Sequence, residues 1–145
     1  MAKKQLLVPR GRLTLVERRE CKYIWGIDES VSWWRYCLYD DVLLIQYLLN
    51  RSGCLTELLV QDGKFGKKTY GAIKKFQRDS HFCHVDGIVD TYKGRSLSML
   101  SNTLYTILAL NDALLLNHPR FYKDLSADKY CPSELTGLSK AAIEV

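Results

Sequence analysis

Two histidines and a cysteine form the densest group of side chains that could perform catalysis or bind a metal. His81, Cys83 and His84 lie close together, and His118 is the only other histidine. A zinc site needs three or four ligands at suitable spacing, and a thiol nucleophile needs a base and an orienting group. Neither set is complete. We interpret the group as an exposed or packed loop, with metal binding the less favoured alternative, and predict no catalytic residue, no metal and no cofactor.

Other catalytic patterns are also incomplete. Carboxylates such as Glu17, Glu29 and Glu57 are scattered, so the sequence does not pair them as a glycosidase requires. Residues 62–69 contain glycines but lack the spacing of a phosphate-binding loop. The sequence therefore predicts a protein that is not an enzyme.

A group of basic residues gives the middle of the chain a positive charge. Its members are Lys64, Lys67, Lys68, Lys74, Lys75 and Arg78. The chain has a formal net charge of +5 at pH 7, which favours anionic partners. The group suits an acidic polymer or phosphate contacts, and it equally suits an ordinary solvated helix face. Because no nucleic-acid-binding motif accompanies it, we predict no specific nucleic-acid partner.

The element before this group is predicted to be a buried helix over residues 40–51. Asp40 or Asp41 can cap its N-terminus, where negative charge suits the helix dipole. Apart from Gln46 the helix has little polar face, so it must be buried nearly all round. Gly53 is the predicted left-handed residue after its end.

Two Asp-Gly turns follow, and the first is predicted to start an amphipathic helix. Asp62 and Gly63 form this turn, because glycine accepts positive φ and the aspartate can bond nearby backbone amides. Gly66 is predicted to be a second special backbone position. The helix then covers about residues 67–79, with apolar residues on one side.

The second turn repeats this pattern on a smaller scale. Asp86 and Gly87 echo the first turn after an interval that holds one helix and little more. We therefore predict that the second turn also starts a helix. That helix would include Leu97, Met99 and Leu100.

The N-terminal region is basic at first and then aromatic. Short strands are predicted at residues 6–8 and 13–15. The basic residues are Lys3, Lys4, Arg10, Arg12, Arg18, Arg19 and Lys22. The aromatic residues are Trp25, Trp33, Trp34, Tyr36 and Tyr39. The aromatic side chains suit a packing cap on the main domain, and alternatively a sugar-stacking or partner-binding surface.

The C-terminal region is predicted to be helical. The leucine-rich run of residues 104–116 is interrupted by Asn111 and Asp112, so it indicates a buried helix and no transmembrane segment. Pro119 ends this helix, and a short final helix is predicted from about Ser133.

Four blocks of the middle region together resemble the peptidoglycan-binding-like domain family. Residues 41–50 resemble its first helix, and residues 61–69 resemble its turn DG-x-FG-x-x-T. Residues 72–77 resemble its second-helix pattern A-hydrophobic-x-x-FQ, and residues 85–90 resemble its turn DG-hydrophobic-V. The blocks follow the family order, and nothing comparable occurs outside them.

The resemblance implies a mainly α chain with a compact three-helix module that binds bacterial peptidoglycan or wall fragments without cutting them. It divides the chain into an N-terminal extension packed on the module (1–39), the module (40–101) and a C-terminal helical extension (102–145). The implied ligand-binding residues are Gln46, Asp62, Lys64, Phe65, Thr69, Gln77 and Asp86. The implied structural turn residues are Gly63, Gly66 and Gly87. The two glutamines would bond loop backbone or line a groove.

Two departures from the family keep a second hypothesis open. Residues 91–96 replace the usual start of the third helix, and the flanking regions are too short for a wall hydrolase. The module would therefore act alone or deliver a partner. The alternative is a protein-interaction adaptor or accessory subunit of a secretion or phage system. Residues 25–39 and 104–116 would then supply partner surfaces.

The cysteines and the N-terminus bear on localisation. Five scattered cysteines form no C-x-x-C pair and would leave one thiol over, so we interpret them as mostly reduced. The apolar run before Pro9 is too short for a signal peptide. We expect synthesis in the cytoplasm, with export to the periplasm or cell wall by a signal-independent route left open.

Overall fold

Three long helices dominate the computed structural model, which describes residues 1–8 and 11–145. In chain order the helices are α1 (Leu15–Arg18), α2 (Tyr39–Arg51), α3 (Lys67–Ser80), α4 (Thr106–Asn117), α5 (Pro119–Lys123) and α6 (Ser133–Thr136). Strands β1 (Lys3–Leu6) and β2 (Tyr23–Gly26) pair antiparallel, and 3₁₀ turns lie at Leu125–Ala127 and Gly137–Lys140. The predicted mainly α fold with N-terminal strands is confirmed. Arg10, one of the basic residues of the N-terminal region, lies outside the described residues.

Helix α2 is the centre of the fold. All its residues from 41 to 49 are buried, as its nearly continuous apolar composition predicts. It contacts α3, α4 and α6. Gly53 follows the helix with a φ of 81°, which confirms the predicted left-handed residue.

The predicted capping role of Asp40 and Asp41 is wrong. Leu38 precedes α2, and no side chain caps this N-terminus. The buried Asp41 carboxylate instead accepts the backbone N–H groups of Asp28 and Glu29 at 3.3 and 3.0 Å. Burial raises the pKa of Asp41, although both hydrogen bonds favour its charged form. Asp41 therefore fixes the loop between β2 and α2.

The N-terminal sheet differs from the prediction in both strands, since β1 covers Lys3–Leu6 where residues 6–8 were predicted. β1 pairs with β2, and Lys3 lies opposite Gly26. Residues 13–15, predicted to be a strand, lead into α1 instead. Thr14 and Glu17 form a capping box there, in which each side chain bonds the backbone N–H of the other residue. The hydrogen bonds of this capping box favour the start of a helix over the strand that the short apolar alternation predicted.

The predicted helix containing Leu97, Met99 and Leu100 is also wrong. The backbone between the second Asp-Gly turn and α4 forms turns and isolated bridges, and α4 is the third long helix. Gly94 has a φ of 82°, which a right-handed helix does not accommodate. Three apolar residues without a longer helical period are too weak a signal to specify a helix across this left-handed glycine.

The same segment packs toward the N-terminal region. The backbone carbonyl of the buried Tyr92 accepts a hydrogen bond from Gln5 Nε2 at 3.2 Å. The Ser96 hydroxyl donates to Glu17 Oε1 at 2.8 Å. We call residues 90–105 the inserted segment, because they separate the second Asp-Gly turn from the helix that follows it. Its backbone follows tertiary contacts and not a local helical pattern.

Helix α4 joins the N-terminal region to the core. It is buried along most of its length, which confirms the prediction from its leucine-rich run. Asn111 accepts the Trp25 N–H at 2.8 Å and donates to the Trp25 carbonyl at 2.9 Å. Asp112 accepts the N–H groups of Leu15 and Val16 at 3.0 and 2.9 Å. The two polar residues that interrupt the run therefore bind β2 and the start of α1.

The C-terminal region is held by a buried carboxylate. Asp128 accepts hydrogen bonds from the Arg51 guanidinium and from the Tyr47 hydroxyl, the latter at 2.8 Å. Burial opposes ionisation of Asp128, but these bonds and the Tyr130 N–H outweigh it and hold its pKa below the usual value. The predicted final helix is confirmed, since α6 begins at Ser133.

The three predicted regions share one hydrophobic core. Its buried side chains include Trp25 from the N-terminal region, Leu44 from α2 and Leu108 from α4. Both flanking regions therefore supply part of the apolar burial that stabilises the middle region. Among the helices of the described ranges, none has the length and apolar character needed to cross a membrane.

Candidate functional site

The Gln46 side chain ties the first Asp-Gly turn to α2 and α3. Its Nε2 lies 3.1 Å from Asp62 Oδ1 and from the Lys64 carbonyl oxygen, and 3.2 Å from Thr69 Oγ1. Its Oε1 accepts the Gly63 N–H at 2.9 Å. We call these contacts the Gln46 network. One buried amide thus satisfies polar groups of the turn and of the helix that begins after it.

Gln77 makes the same set of contacts at the second turn. Its Nε2 lies 3.0 Å from Asp86 Oδ1, from the Ile88 carbonyl oxygen and from Thr106 Oγ1. Its Oε1 accepts the Gly87 N–H at 2.9 Å. These contacts form the Gln77 network. The two Asp-Gly turns therefore have matching hydrogen-bond networks, although a helix begins directly after only the first of them.

Both turn glycines are required by backbone conformation and by space. Gly63 and Gly87 have φ values of 69° and 71°. A Cβ would overlap the Tyr39 ring at Gly63 and the Tyr70 ring at Gly87. A side chain at either position would therefore be strained both by the positive φ and by overlap with the tyrosine ring. Each glycine packs on a tyrosine from the first turn of the preceding long helix.

Gly66 does not share this requirement, which corrects the prediction of a special backbone there. It precedes α3 in extended conformation with a φ of −140°. A Cβ at this position would meet no atom within 4 Å. Neither the backbone nor the surroundings demand glycine.

The seven predicted ligand-binding residues fall into two groups. Five of them, namely Gln46, Asp62, Thr69, Gln77 and Asp86, belong to the two networks. The glutamines bond loop backbone, which is the first of the two predicted roles. Lys64 and Phe65 instead lie at the surface of the first turn. Ligand contact by any of the seven stays a prediction, and the five network residues have a structural role.

The Asp62 carboxylate stays ionised through the backbone. Its Oδ1 accepts the Lys64 N–H at 2.9 Å. This bond, together with the one from Gln46, lowers the pKa of Asp62 despite partial burial. The carboxylate is therefore charged at neutral pH and holds the turn in shape.

A pocket of about 440 Å³ lies beside the first turn. It is lined by Ser32, Trp33, Arg35, Tyr36, Cys37, Tyr39, Gly63, Lys64 and Phe65. We call it the Trp33 pocket. The lining residues from Ser32 to Cys37 belong to the loop before α2, which was not among the site residues predicted from the sequence. The signal in the sequence was the aromatic run, for which sugar stacking was one interpretation. The sequence did not indicate that this run would lie beside the first turn.

Edge-to-face aromatic contacts hold the pocket wall. The Trp33 ring lies 5.9 Å from the Phe65 ring and 5.5 Å from the Tyr70 ring, centre to centre. The Phe65 and Tyr70 rings lie 6.4 Å apart. Such geometry is favourable because the positive edge of one ring meets the negative face of another. The loop before α2 is thus anchored to the first turn and to α3.

The basic group is partly neutralised on the surface. Lys68 lies 3.6 Å from Glu57, and Lys75 pairs with Asp79 at 2.9 Å. Lys74 lies over the Tyr70 ring at 5.3 Å. Lys64, Lys67 and Arg78 have no ion pair with any described residue. The free positive charge is therefore smaller than the sequence indicates.

The histidine and cysteine group does not assemble a reactive centre. Cys83 is buried, and burial raises the pKa of its thiol, which disfavours the nucleophilic thiolate. His81 and His84 are exposed. Within residues 1–8 and 11–145, no three histidine, cysteine or acidic side chains are grouped so that they could hold a metal ion.

Comparison with known families gives one match in the middle of the chain. Residues 39–91 match the family model described as "Putative peptidoglycan binding domain". No curated protein and no solved structure matches the chain. The matched range begins with α2 and ends just after the second Asp-Gly turn, so it contains both network glutamines. The match supports a peptidoglycan-binding module in this part of the chain.

Proposed function

We propose that this protein binds bacterial cell-wall peptidoglycan and does not cut it. The observation that carries the proposal is the family match over residues 39–91, which contains both network glutamines and both Asp-Gly turns. The networks give two helix starts a fixed backbone shape. A fixed shape lets a binding surface recognise its ligand without reordering.

The surface that serves this function is the first turn with Lys64 and Phe65. Gln46, Asp62 and Thr69 hold this turn from beneath, and Gln77 with Asp86 do the same for the second turn. The networks would therefore act on binding through the shape of the turns. The module acts alone or delivers a partner to the wall, as part of a bacterium or of a phage.

Co-sedimentation with purified peptidoglycan sacculi tests the proposal. The purified chain is mixed with sacculi at low and moderate salt, beside a protein of similar size and charge as the control. We expect sedimentation above the control that persists at moderate salt, because a shaped surface depends less on charge than a polyanion contact does. Sedimentation no greater than the control contradicts wall binding. Loss of binding at moderate salt indicates simple attraction to the basic residues.

A second candidate function is a protein-interaction module built on the same fold. The leucine-rich run no longer supports it, because Leu108, Leu110 and Leu114 are fully buried. The observation that favours it is the inserted segment, where Met99 is 77% exposed and Leu100 is fully exposed. Exposed apolar side chains that adjoin one another mark interaction sites. Self-association that disappears in the double variant Met99→Ser, Leu100→Ser would favour this candidate, and light scattering measures it.

A further inference from the structure

A pocket of about 590 Å³ lies in the N-terminal region, outside the matched residues 39–91. Leu6, Leu7 and Ile143 form its apolar lining, and charged side chains stand around them. We call it the Glu17 pocket. It is built by β1, α1 and the C-terminal residues, so it belongs to the two extensions and not to the matched module.

One oxygen of the Glu17 carboxylate is unused. Glu17 lines the pocket although it is only 3% exposed. Its Oε1 accepts the hydroxyls of Thr14 and Ser96 at 2.7 and 2.8 Å. Among the residues that the structure describes, none donates a hydrogen bond to its Oε2. The capping box thus occupies one oxygen and holds the other in place as an acceptor for a ligand.

The space beside Glu17 Oε2 is open because residue 11 is glycine. A Cβ on Gly11 would meet this oxygen at 3.7 Å and, apart from its chain neighbours, no other described atom within 4 Å. Gly11 is exposed and lines the pocket. A buried carboxylate with an accessible oxygen favours a ligand group that donates charge-assisted hydrogen bonds, such as a primary ammonium group.

The other charges of the pocket favour a ligand that carries both signs. Arg12, Glu20 and Lys22 are exposed, and none of the three forms an ion pair with a described residue. Together with Glu17, they give the lining two cations and two carboxylates. The cations would repel a simple amine, and the carboxylates would repel a simple acid. An ammonium and a carboxylate on one aliphatic chain, as in an α-amino acid, satisfy both.

We propose that the Glu17 pocket binds the free α-amino acid end of a diaminopimelate residue in the stem peptide of the wall. The ammonium group donates to Glu17 Oε2, the carboxylate lies at Arg12 and Lys22, and the methylene groups pack on the apolar lining. This end keeps both groups in stems that are neither cross-linked nor amidated there. The inference rests on the proposed function and adds the part of the wall that is recognised.

Calorimetry with defined tripeptides tests this inference. The first probe is L-alanyl-γ-D-glutamyl-meso-diaminopimelate. The second is the same peptide amidated at the carboxylate of its free end, and the third has L-lysine in place of diaminopimelate, which supplies the ammonium group alone. Free norleucine is the fourth probe. We expect the first peptide to bind most tightly and each of the others to bind about tenfold more weakly.

Variants of the chain separate the pocket from general effects. Glu17→Gln keeps an acceptor for the capping box but removes the charge, and it should weaken binding of the first peptide by about tenfold. Gly11→Ala puts a methyl group beside Oε2 and should weaken it by about fivefold. Because Gly11 is exposed, this variant keeps the test valid if Glu17→Gln fails to fold. The matched control Glu57→Gln removes an exposed carboxylate outside the pocket and should bind the peptide as the unchanged chain does.

The outcomes distinguish this inference from the proposed function. Equal binding of the three tripeptides, normal binding by both pocket variants, or a loss in Glu57→Gln as large as theirs would overturn the inference. Tighter binding of norleucine than of the first peptide would assign the pocket to a free amino acid and overturn the link to the wall. If sacculi sediment with the chain but the peptide does not bind, the inference fails and the proposed function stands. If the peptide binds at Glu17 but sacculi do not sediment, the proposed function fails and the ligand class of the pocket stands.

Discussion

The first and second turn-helix units have the same hydrogen-bond network but different connections. In the first unit, α3 begins directly after the turn, and Lys64 and Phe65 remain at the surface. In the second unit, the inserted segment separates the turn from α4. Val89, which follows the second turn, is fully buried and pairs with Val31 through two backbone hydrogen bonds of 2.9 Å. The corresponding position of the first unit is Phe65, which lines the pocket.

This difference shows that the start of each helix and the surface beside it are specified separately. The glutamine fixes the turn relative to the helix whether the connection is short or long. Thr69 and Thr106 meet their glutamines at 3.2 and 3.0 Å. The surface depends on how the loop before α2 meets each turn. Most of its residues from Ser32 to Cys37 line the Trp33 pocket at the first turn, whereas its Val31 pairs with the buried Val89 at the second.

Removing either glutamine should have the largest effect on stability. Gln46→Ala and Gln77→Ala each leave several buried polar groups without partners, so we expect each to lower the free energy of unfolding by about 3 kcal/mol. Urea unfolding measures both. Gln61→Ala is the control, because its amide makes only two bonds, to the exposed Tyr130 carbonyl at 2.9 Å and from the partly buried Asn50 at 3.3 Å, and it should cost less than about 1 kcal/mol. A large loss at only one of the two glutamines would break the equivalence of the networks.

Glycine substitutions should sharpen the comparison within the first unit. Gly63→Ala combines positive φ with overlap of the Tyr39 ring, so we expect a loss of about 2 kcal/mol. Gly66→Ala meets neither obstacle and should cost less than about 1 kcal/mol. Thermal unfolding of the two variants measures the difference. Equal losses would contradict a special role for the turn glycine.

Acid should weaken the first turn through Asp62. Its folded-state pKa lies below the ordinary value, so its contribution to stability is complete above that value, at about pH 4. The contribution is lost as pH falls through the lowered pKa. We expect the stability difference between the unchanged chain and Asp62→Asn to shrink below about pH 4. Urea unfolding at several pH values measures it, and a constant difference would contradict the lowered pKa.

The smallest effect on folding is expected in the inserted segment. Leu100 is fully exposed, so Leu100→Ser should change the free energy of unfolding by less than about 0.5 kcal/mol. Thermal unfolding checks this value. A loss as large as that of Gly63→Ala would mean that Leu100 is covered in solution, which would favour the protein-interaction candidate.

The sequence predicted the three long helices but not every element between them. Continuous apolar residues specify α2 and α4, and a clear amphipathic period specifies α3, so each was predicted close to its observed bounds. The helix assigned around Leu97 was wrong because three apolar residues do not outweigh Gly94 and the contacts of Tyr92 and Ser96. The strand assigned at residues 13–15 was wrong because capping by Thr14 decided that segment.

The candidate site was only partly predictable. Its two glutamines, two aspartates and two turn glycines could be found because they lie in the four blocks that resemble the peptidoglycan-binding-like family. Lys64 and Phe65 could be found for the same reason. Trp33 and Tyr36 were visible only as members of an aromatic run, since nothing local indicated that they would meet Phe65.

By itself, the sequence determined where the long helices lie and that Gly63 and Gly87 turn the chain, because periodicity and positive φ act over a few neighbouring residues. Only the tertiary structure decided which surface each turn presents. That choice depends on long-range packing: Trp33 packs on Phe65 at the first turn, whereas the backbones of Val31 and Val89 pair at the second. Contacts between distant residues have no local period, so no stretch of sequence could specify them alone.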